Sequence, residues 1–358
     1  MPRSLICQTH TTVSGIPGRM LKLGIYLNTQ HSESDDPARR LAETLEQARL
    51  IRSLGFDSIW AGEHHATPGF HFFPQLPLLQ RVAVEAPGLA IGTNLILLPL
   101  HNPIEIAEIG AFMDVVTGGR FLLGLGLGYR PEEFAIFGVP ISERASRLTE
   151  GVEIIRRLWT EDRVTHQGRH WKFADIAIRP RPLQQPRPPI LIGAQVDAAI
   201  ARAAKISDGW LVVPQPKTDE LPAQMKVFND ARAAAGLPAS PHICRLYEVA
   251  CAASEDDAFR RAAPHLLQKY ASYAAWGLAG VSKEHSGAPE EQLRRLAAGR
   301  FAVGTPAQVA DELVAQHRAG ITHLSMRVSW PGMPQEDILA GIDILGREVL
   351  PDVRRRTS

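Results

Sequence analysis

Glu63-His64-His65 puts a carboxylate and two imidazoles side by side at the end of the apolar run Phe56–Ala61. An imidazole titrates near neutral pH and can pass protons. Adjacent histidines on one strand point to opposite faces and cannot share an ion without a turn, so no metal ligand set is expected from this motif. A second chemical signal is the stretch Gly119–Arg130, in which Gly124, Gly126 and Gly128 alternate with Leu123, Leu125 and Leu127. On a strand the three glycines share one face and the leucines the other. Interior glycine marks a close approach, by a ligand, by a neighbour or by the packing of a narrow barrel interior. The run is not a dinucleotide fingerprint, because its third glycine falls one residue early and Pro131 follows. It is not a phosphate loop either, having no Gly-Lys-Ser/Thr. Thr93-Asn94 adds a polar pair inside an apolar run, and a buried amide must find partners. No nucleophile elbow or Ser-His-Asp order is present, which disfavours covalent hydrolysis.

These residues need elements to position them. Apolar strand-like runs occur at Leu21–Leu27, Phe56–Ala61, Leu89–Leu98, Phe121–Gly128, Ile190–Gly193, Gly209–Val213, Ile243–Ala252 and Ile321–Val328. Helical patterns fall between them. Asp36-Pro37, Asn102-Pro103 with Glu105, and Thr305-Pro306 are helix starts that combine an N-cap with proline at the first helical position. Further helices are expected around Leu78–Glu85, after a Pro- and Phe-rich loop, and over Ser142–Trp159, Val196–Ala204, Asp219–Ala235 and a last stretch to about Leu350. Eight strands alternating with helices predict an α/β fold, a (β/α)8 TIM barrel. An open doubly wound sheet would want a glycine-rich turn after its first strand, and Asn28–Ser34 has none. Residues 20–353 are read as one barrel domain with insertions near 160–189 and 255–300. The first insertion carries five prolines and reads as a small hairpin outside the sheet. The second holds Tyr270, Tyr273, Trp276 and Gly277, suited to a cover or an interface, with surplus helix as the alternative. Met1–Arg19 is expected to be a flexible extension. Barrel chemistry sits at the carboxyl ends of the strands. That rule makes eligible Asn28, Glu63–His65, Asn94, Tyr129, Arg130, Gly193–Gln195, Trp210–Pro214 and Met326–Trp330.

Composition removes several function classes. The 358 residues carry 39 Lys+Arg against 38 Asp+Glu, a net charge of +1, so no basic face is expected and nucleic acid is not an expected partner. No apolar run is long enough to span a bilayer, and Met1–Arg19 lacks a signal peptide's apolar centre. Cys7, Cys244 and Cys251 offer neither a disulfide framework nor a metal spacing, which suits a reduced, cytoplasmic protein. Arg354–Arg356 reads as a solvated basic terminus.

Several ordered motifs together resemble the bacterial luciferase-like family of flavin-dependent oxidoreductases. They are Asn94-Leu-Ile-Leu-Leu-Pro-Leu-His101-Asn-Pro103, Asp114-Val-Val-Thr-Gly-Gly-Arg120 running into the glycine strand, Phe137-Gly138, Pro182–Ile190, Ser207-Asp208-Gly209-Trp210 and Val303-Gly304-Thr305-Pro306. The likeness spans Leu21 to about Leu350. It implies a (β/α)8 barrel holding reduced FMN, supplied by a separate reductase, and a monooxygenase reaction with molecular oxygen on a small, largely apolar substrate. It further implies that His64 lies beside the flavin and aids proton transfer, and that the Asn94–Leu95 peptide is cis. Cofactor contacts are implied for Glu63, Asn94, Gly126, Gly128, Tyr129, Gly193, Ala194 and Gln195. The last three precede a helix whose free N–H groups suit a phosphate. Luciferase itself grips phosphate with an arginine where this chain has Leu127. That departure leaves the phosphate to backbone donors, to Arg130, or to a cofactor with another tail, so a deazaflavin-dependent dehydrogenase or reductase is the alternative. A flavin-binding protein without turnover is the second alternative, for which a histidine at the ring would be unnecessary. Phe70, Phe72, Phe73 and the Tyr270–Trp276 region are expected walls that exclude water. A homodimer or higher homo-oligomer is the family-level expectation.

Overall fold

The computed structural model describes residues 20–277 and 287–358. Its centre is eight parallel strands: β1 (Lys22–Tyr26), β2 (Ser58–Ala61), β3 (Ala90–Thr93), β4 (Phe121–Leu125), β5 (Ile190–Ala194), β6 (Gly209–Val212), β7 (His242–Cys251) and β8 (His323–Arg327). Each pairs with its neighbour in chain order, and β8 pairs with β1 in register Lys22 to His323 through Tyr26 to Arg327, which closes the barrel. The expected barrel is therefore present.

Local signals place the helices. Asp36 accepts hydrogen bonds from the N–H groups of Ala38 and Arg39 at the head of the helix Pro37–Ser53, and Gly55 ends that turn at φ +78°. Asn102 caps Pro103–Val116 through the N–H of Ile104. Thr305 and Gln308 form a reciprocal capping box at Pro306–Arg318. Thr305→Ala should cost about 1 kcal/mol, since a side-chain cap satisfies otherwise orphaned N–H donors; a denaturant midpoint shift without change in slope checks this.

The strands sort their side chains by face. Leu123 and Leu125 of β4 join Ile25, Ile59 and Ile192 in the core beneath the helices. Leu122 points into the barrel with Tyr26, Trp60, Leu191, Leu211 and Cys244, whereas Cys251 packs on the outer side. A Cβ on Gly92 would lie 2.2 Å from the Trp60 ring, so a narrow barrel needs glycine there.

Several boundaries differ from expectation. β3 stops at Thr93, and Leu98–Leu100 is a single 3₁₀ turn. The Pro- and Phe-rich loop contains a strand, Phe70–Phe72, paired antiparallel with Gln30–Ser32, and the next helix starts at Gln75. Both pieces are too short to show a period. The first insertion is the expected hairpin, Val164–Gln167 with Lys172–Ile176. The second contains the 21-residue helix Glu255–Ala275, the helix Pro289–Ala297 and a short strand Ala302–Gly304 on the end of β7. The final helical stretch runs past Leu350 to Thr357. Arg354–Arg356 is thus not a loose tail: Arg354 bonds Gly55 O, and Arg356 pairs with Asp311 and Asp352. Among the described residues no helix is long and apolar enough to cross a membrane. The expected extension Met1–Arg19, with Cys7, lies outside the described residues.

Candidate active site

The carboxyl ends of the strands surround a cavity of roughly 390 Å³. His64, in the loop after β2, forms part of its wall. Its Nδ1 lies 2.9 Å from Glu133 Oε1, which also accepts the His65 N–H at 2.9 Å and Arg130 Nη1 at 3.3 Å. Glu133 belongs to the short helix Pro131–Ile136 and is fully buried. Burial opposes its charge, but His64, the His65 N–H and Arg130 outweigh it and hold the carboxyl below its ordinary range. Around the imidazole stand Phe72, Tyr273 and Trp276, with ring centroids 5.4, 5.7 and 5.5 Å away. The histidine is therefore fixed by a carboxylate on one side and aromatic edges on the others.

The two histidines of the motif point apart, as expected. His65 turns towards Glu63 and His101, and one donor atom from each of these three lies within 4.8 Å of the others. Glu63 Oε1 accepts the Leu97 N–H at 2.7 Å and His101 Nε2 at 2.9 Å. Burial alone would raise Glu63, yet His101 and His65 hold it far below the usual carboxylate range. It borders the cavity, and its charge ties the β2 loop to the segment after β3.

The glycine face of β4 is occupied in a way the sequence does not disclose. A Cβ on Gly124 would lie 1.9 Å from Thr93 O and 2.8 Å from Leu211 Cδ1. Gly126 and Gly193 make room for Leu95, whose methyl carbons would lie 2.3 and 2.4 Å from a Cβ on each. The strand ends at Leu125, so Gly126 and Gly128 lie in the loop, the latter at φ +73°. The expected bare surface is thus covered by Leu95, itself part of the cavity floor beside Gly126, Leu127 and Gly193. The peptide between Asn94 and Leu95 is cis.

Three buried polar atoms on the cavity wall have no protein partner among the described residues: Asn94 Nδ2, Tyr129 Oη and Gln215 Oε1. Burial also pushes the Tyr129 phenol well above its ordinary range, so it stays protonated as a donor. Gln195 and Val196 lead from β5 into the helix Asp197–Ile206, whose N-terminus has no side-chain cap and opens on the same cavity. Arg130 is not placed for a phosphate there; its guanidinium bonds His65 O and Glu133 and lies 4.6 Å over the Trp276 ring. Of the expected walls, Phe72, Tyr270 and Tyr273 face the cavity, Phe70 packs on Trp276, and Phe73 packs on His31. Asn28 turns to Gln30 O, and Trp210 stacks on Phe228 in the outer core.

Sequence reasoning missed Glu133, and of the buried group Glu248, Lys269 and Arg327 at the β7–β8 side it made only Arg327 eligible, within Met326–Trp330. Glu248 and Arg327 carried a readable cue, since each is a charge inside an apolar strand.

Comparison with known proteins bears on the family and the fold. Residues 21–323 match the model of the luciferase-like monooxygenase family. The F420-dependent glucose-6-phosphate dehydrogenase of Microbacterium testaceum is 30% identical over 334 residues, covering 88% of this chain and 94% of that protein. The oxygenase component of the flavin-dependent trigonelline monooxygenase of Acinetobacter baylyi is 27% identical over 347 residues, covering 92% and 95%. The crystal structure of the monooxygenase RslO1 from Streptomyces bottropensis superposes with a TM-score of 0.82 at 25% identity, covering 92% of this chain and 99% of that one. A closed barrel with its cavity at the strand ends, matched by a family model over most of its length, places this chain in the luciferase-like monooxygenase family of oxidoreductase enzymes.

Proposed function

We propose that the chain is the oxygenase component of a two-component monooxygenase, binding reduced FMN from a separate reductase and oxidising a small, largely apolar molecule. The observation that carries this reading is the set of three partnerless polar atoms, on Asn94, Tyr129 and Gln215, on the cavity wall. A buried polar atom without a partner is costly, and the polar edge of an isoalloxazine ring offers both donors and acceptors to meet them. The volume suits a small-molecule site. Support also comes from the trigonelline enzyme, whose name describes an oxygenase component.

Within this reading Leu95, Asn94 and Tyr129 would hold the ring, and the backbone N–H groups at the N-terminus of Asp197–Ile206 would hold the phosphate. The flavin, when bound, supplies the electrons that reduce oxygen. His64 holds a proton at Nδ1 against Glu133, which leaves Nε2 to exchange a proton with the cavity. The aromatic side chains Phe72, Tyr270 and Tyr273 exclude water from the reacting centre.

A second reading, deazaflavin-dependent hydride transfer, is favoured by the Microbacterium relative and by Leu127, which stands where luciferase has a phosphate-gripping arginine. Anaerobic titration of the full chain with each reduced cofactor, followed by admission of air, separates the two. Preferential binding of reduced FMN, with oxygen uptake that depends on added substrate, is the expected result. Tight deazaflavin binding with no oxygen consumption establishes the second reading instead.

A further inference from the structure

Beside β7 and β8, two and three strands on from β5, the cavity wall is charged. Lys269 and Arg327 both line it, and both side chains are almost wholly buried. They share one carboxylate. Glu248 Oε1 accepts from Lys269 Nζ, and from Arg327 Nη1 at 3.2 Å, while Glu248 Oε2 accepts the Trp330 indole N–H at 2.8 Å. The guanidinium lies 4.2 Å over the Tyr26 ring, and the ammonium lies 4.5 and 5.3 Å from the ring centres of Tyr270 and Tyr273. Aromatic faces soften a buried charge but supply no counter-ion.

Among the described residues, the other two carboxylates near the cavity are already engaged. Glu63 is held by His101 and Leu97 N–H, and Glu133 by His64 and Arg130. Among the described residues, and with Lys269 protonated, the cluster of two cations and one anion is therefore one negative charge short of balance. Buried charges persist only when paired, and both basic side chains border the cavity. Burial and the Arg327 charge push the Lys269 ammonium down to about 7 in spite of Glu248, as expected where a second anion is missing.

We propose that Lys269 and Arg327 form an anion subsite that takes a carboxylate carried by the substrate, so that this enzyme acts on an organic acid with an apolar body. The proposal rests on the cavity being the flavin and substrate site. Tyr273 connects the two regions: its ring lies 5.7 Å from that of His64 and 5.3 Å from Lys269 Nζ. A carboxylate held at Lys269 and Arg327 directs the body of the molecule past Tyr273 towards His64. The phosphate of the cofactor would be met separately, by the helix N-terminus after β5.

The test titrates benzoate and its neutral counterpart benzamide onto the full chain by calorimetry, with and without saturating FMN. Flavin binding is read separately by fluorescence quenching. Benzoate should bind at least about tenfold more tightly than benzamide, because charge-assisted hydrogen bonds form only with the anion. Lys269→Met and Arg327→Met, each of which leaves one neutral ion pair with Glu248, should abolish the preference, and Arg327→Lys should retain part of it. Benzoate affinity should stay within about threefold when FMN is bound. Equal affinity for the two probes, or no binding of benzoate, overturns the proposal using the wild-type chain alone. Displacement of benzoate but not benzamide by FMN also overturns it, assigning the cluster to the cofactor's phosphate. Failure of FMN to quench, with the benzoate preference intact, would count against the flavin reading and not against the subsite.

Discussion

His64→Ala should lower substrate-dependent oxygen uptake by about 10²–10⁴-fold, the range associated with removing a positioned proton-transfer group. FMN affinity should change by less than about threefold, because the partnerless donors and acceptors on Asn94, Tyr129 and Gln215 remain. The effect is expected in kcat. Nδ1 is engaged by Glu133, and Phe72, Tyr273 and Trp276 pack around the ring, so the imidazole is held in one orientation before any ligand arrives. Alanine leaves Glu133 with its bonds to the His65 N–H and Arg130, which limits the structural damage. His64→Gln is the companion variant, since glutamine can bond Glu133 but cannot carry a proton at neutral pH. Equal losses in the two variants, with unchanged flavin quenching, assign the defect to proton transfer. Wild-type turnover in either variant would remove His64 from the chemistry.

Much of the scaffold was legible because its signals are local. Asp36-Pro37, Asn102-Pro103 and Thr305-Pro306 each start a helix in the structure, since a cap and a proline act within one turn of chain. The sorting of Leu123 and Leu125 away from Gly124 followed from strand geometry alone. The contents of the glycine face did not. Leu95, Thr93 and Leu211 reach it from other strands and loops, and periodicity along β4 carries no trace of them. Glu133 lies 69 residues from His64, and the pair exists only once β2 and the loop after β4 meet at the barrel mouth. Arg130 was eligible for a phosphate by position, yet Glu133 and Trp276 claim its guanidinium.

The charged residues of β7 show where a sequence cue stops. Arg245 and Glu248 both interrupt an apolar strand, and both are fully buried. Arg245 is used internally, bonding Pro216 O and Gln316 under the Tyr247 ring. Glu248 faces the cations of the cavity. The same cue thus marks a brace and a site, and only the position of each side chain in the barrel tells them apart.

One substitution made at two glycines should move stability in opposite directions. Gly124→Ala places a methyl 1.9 Å from Thr93 O, a backbone atom, and 2.8 Å from Leu211 Cδ1. Neither neighbour can yield cheaply. The Thr93 hydroxyl donates to Gly124 O at 2.9 Å and accepts the Gly124 N–H at 2.8 Å, and the next residue, Asn94, donates its N–H to Ala61 O. Relief would require β3 and β4 to separate, breaking the barrel wall behind Leu95. The expected cost is about 3 kcal/mol or more, at the upper end for overpacking, and a large share of a typical domain's stability. Gly341, inside the helix Gln335–Ile344, has nothing within 4 Å of its Cβ position. Gly341→Ala should stabilise the chain by about 0.5–1 kcal/mol, because alanine loses less conformational freedom in a helix. Denaturant midpoints of the two variants, compared at equal slope, measure both. A Gly124→Ala protein as stable as wild type would show that β4 does not lie against Thr93 as described. Destabilisation of similar size at both sites would instead mean that loss of glycine, not the contact at Thr93, governs the effect.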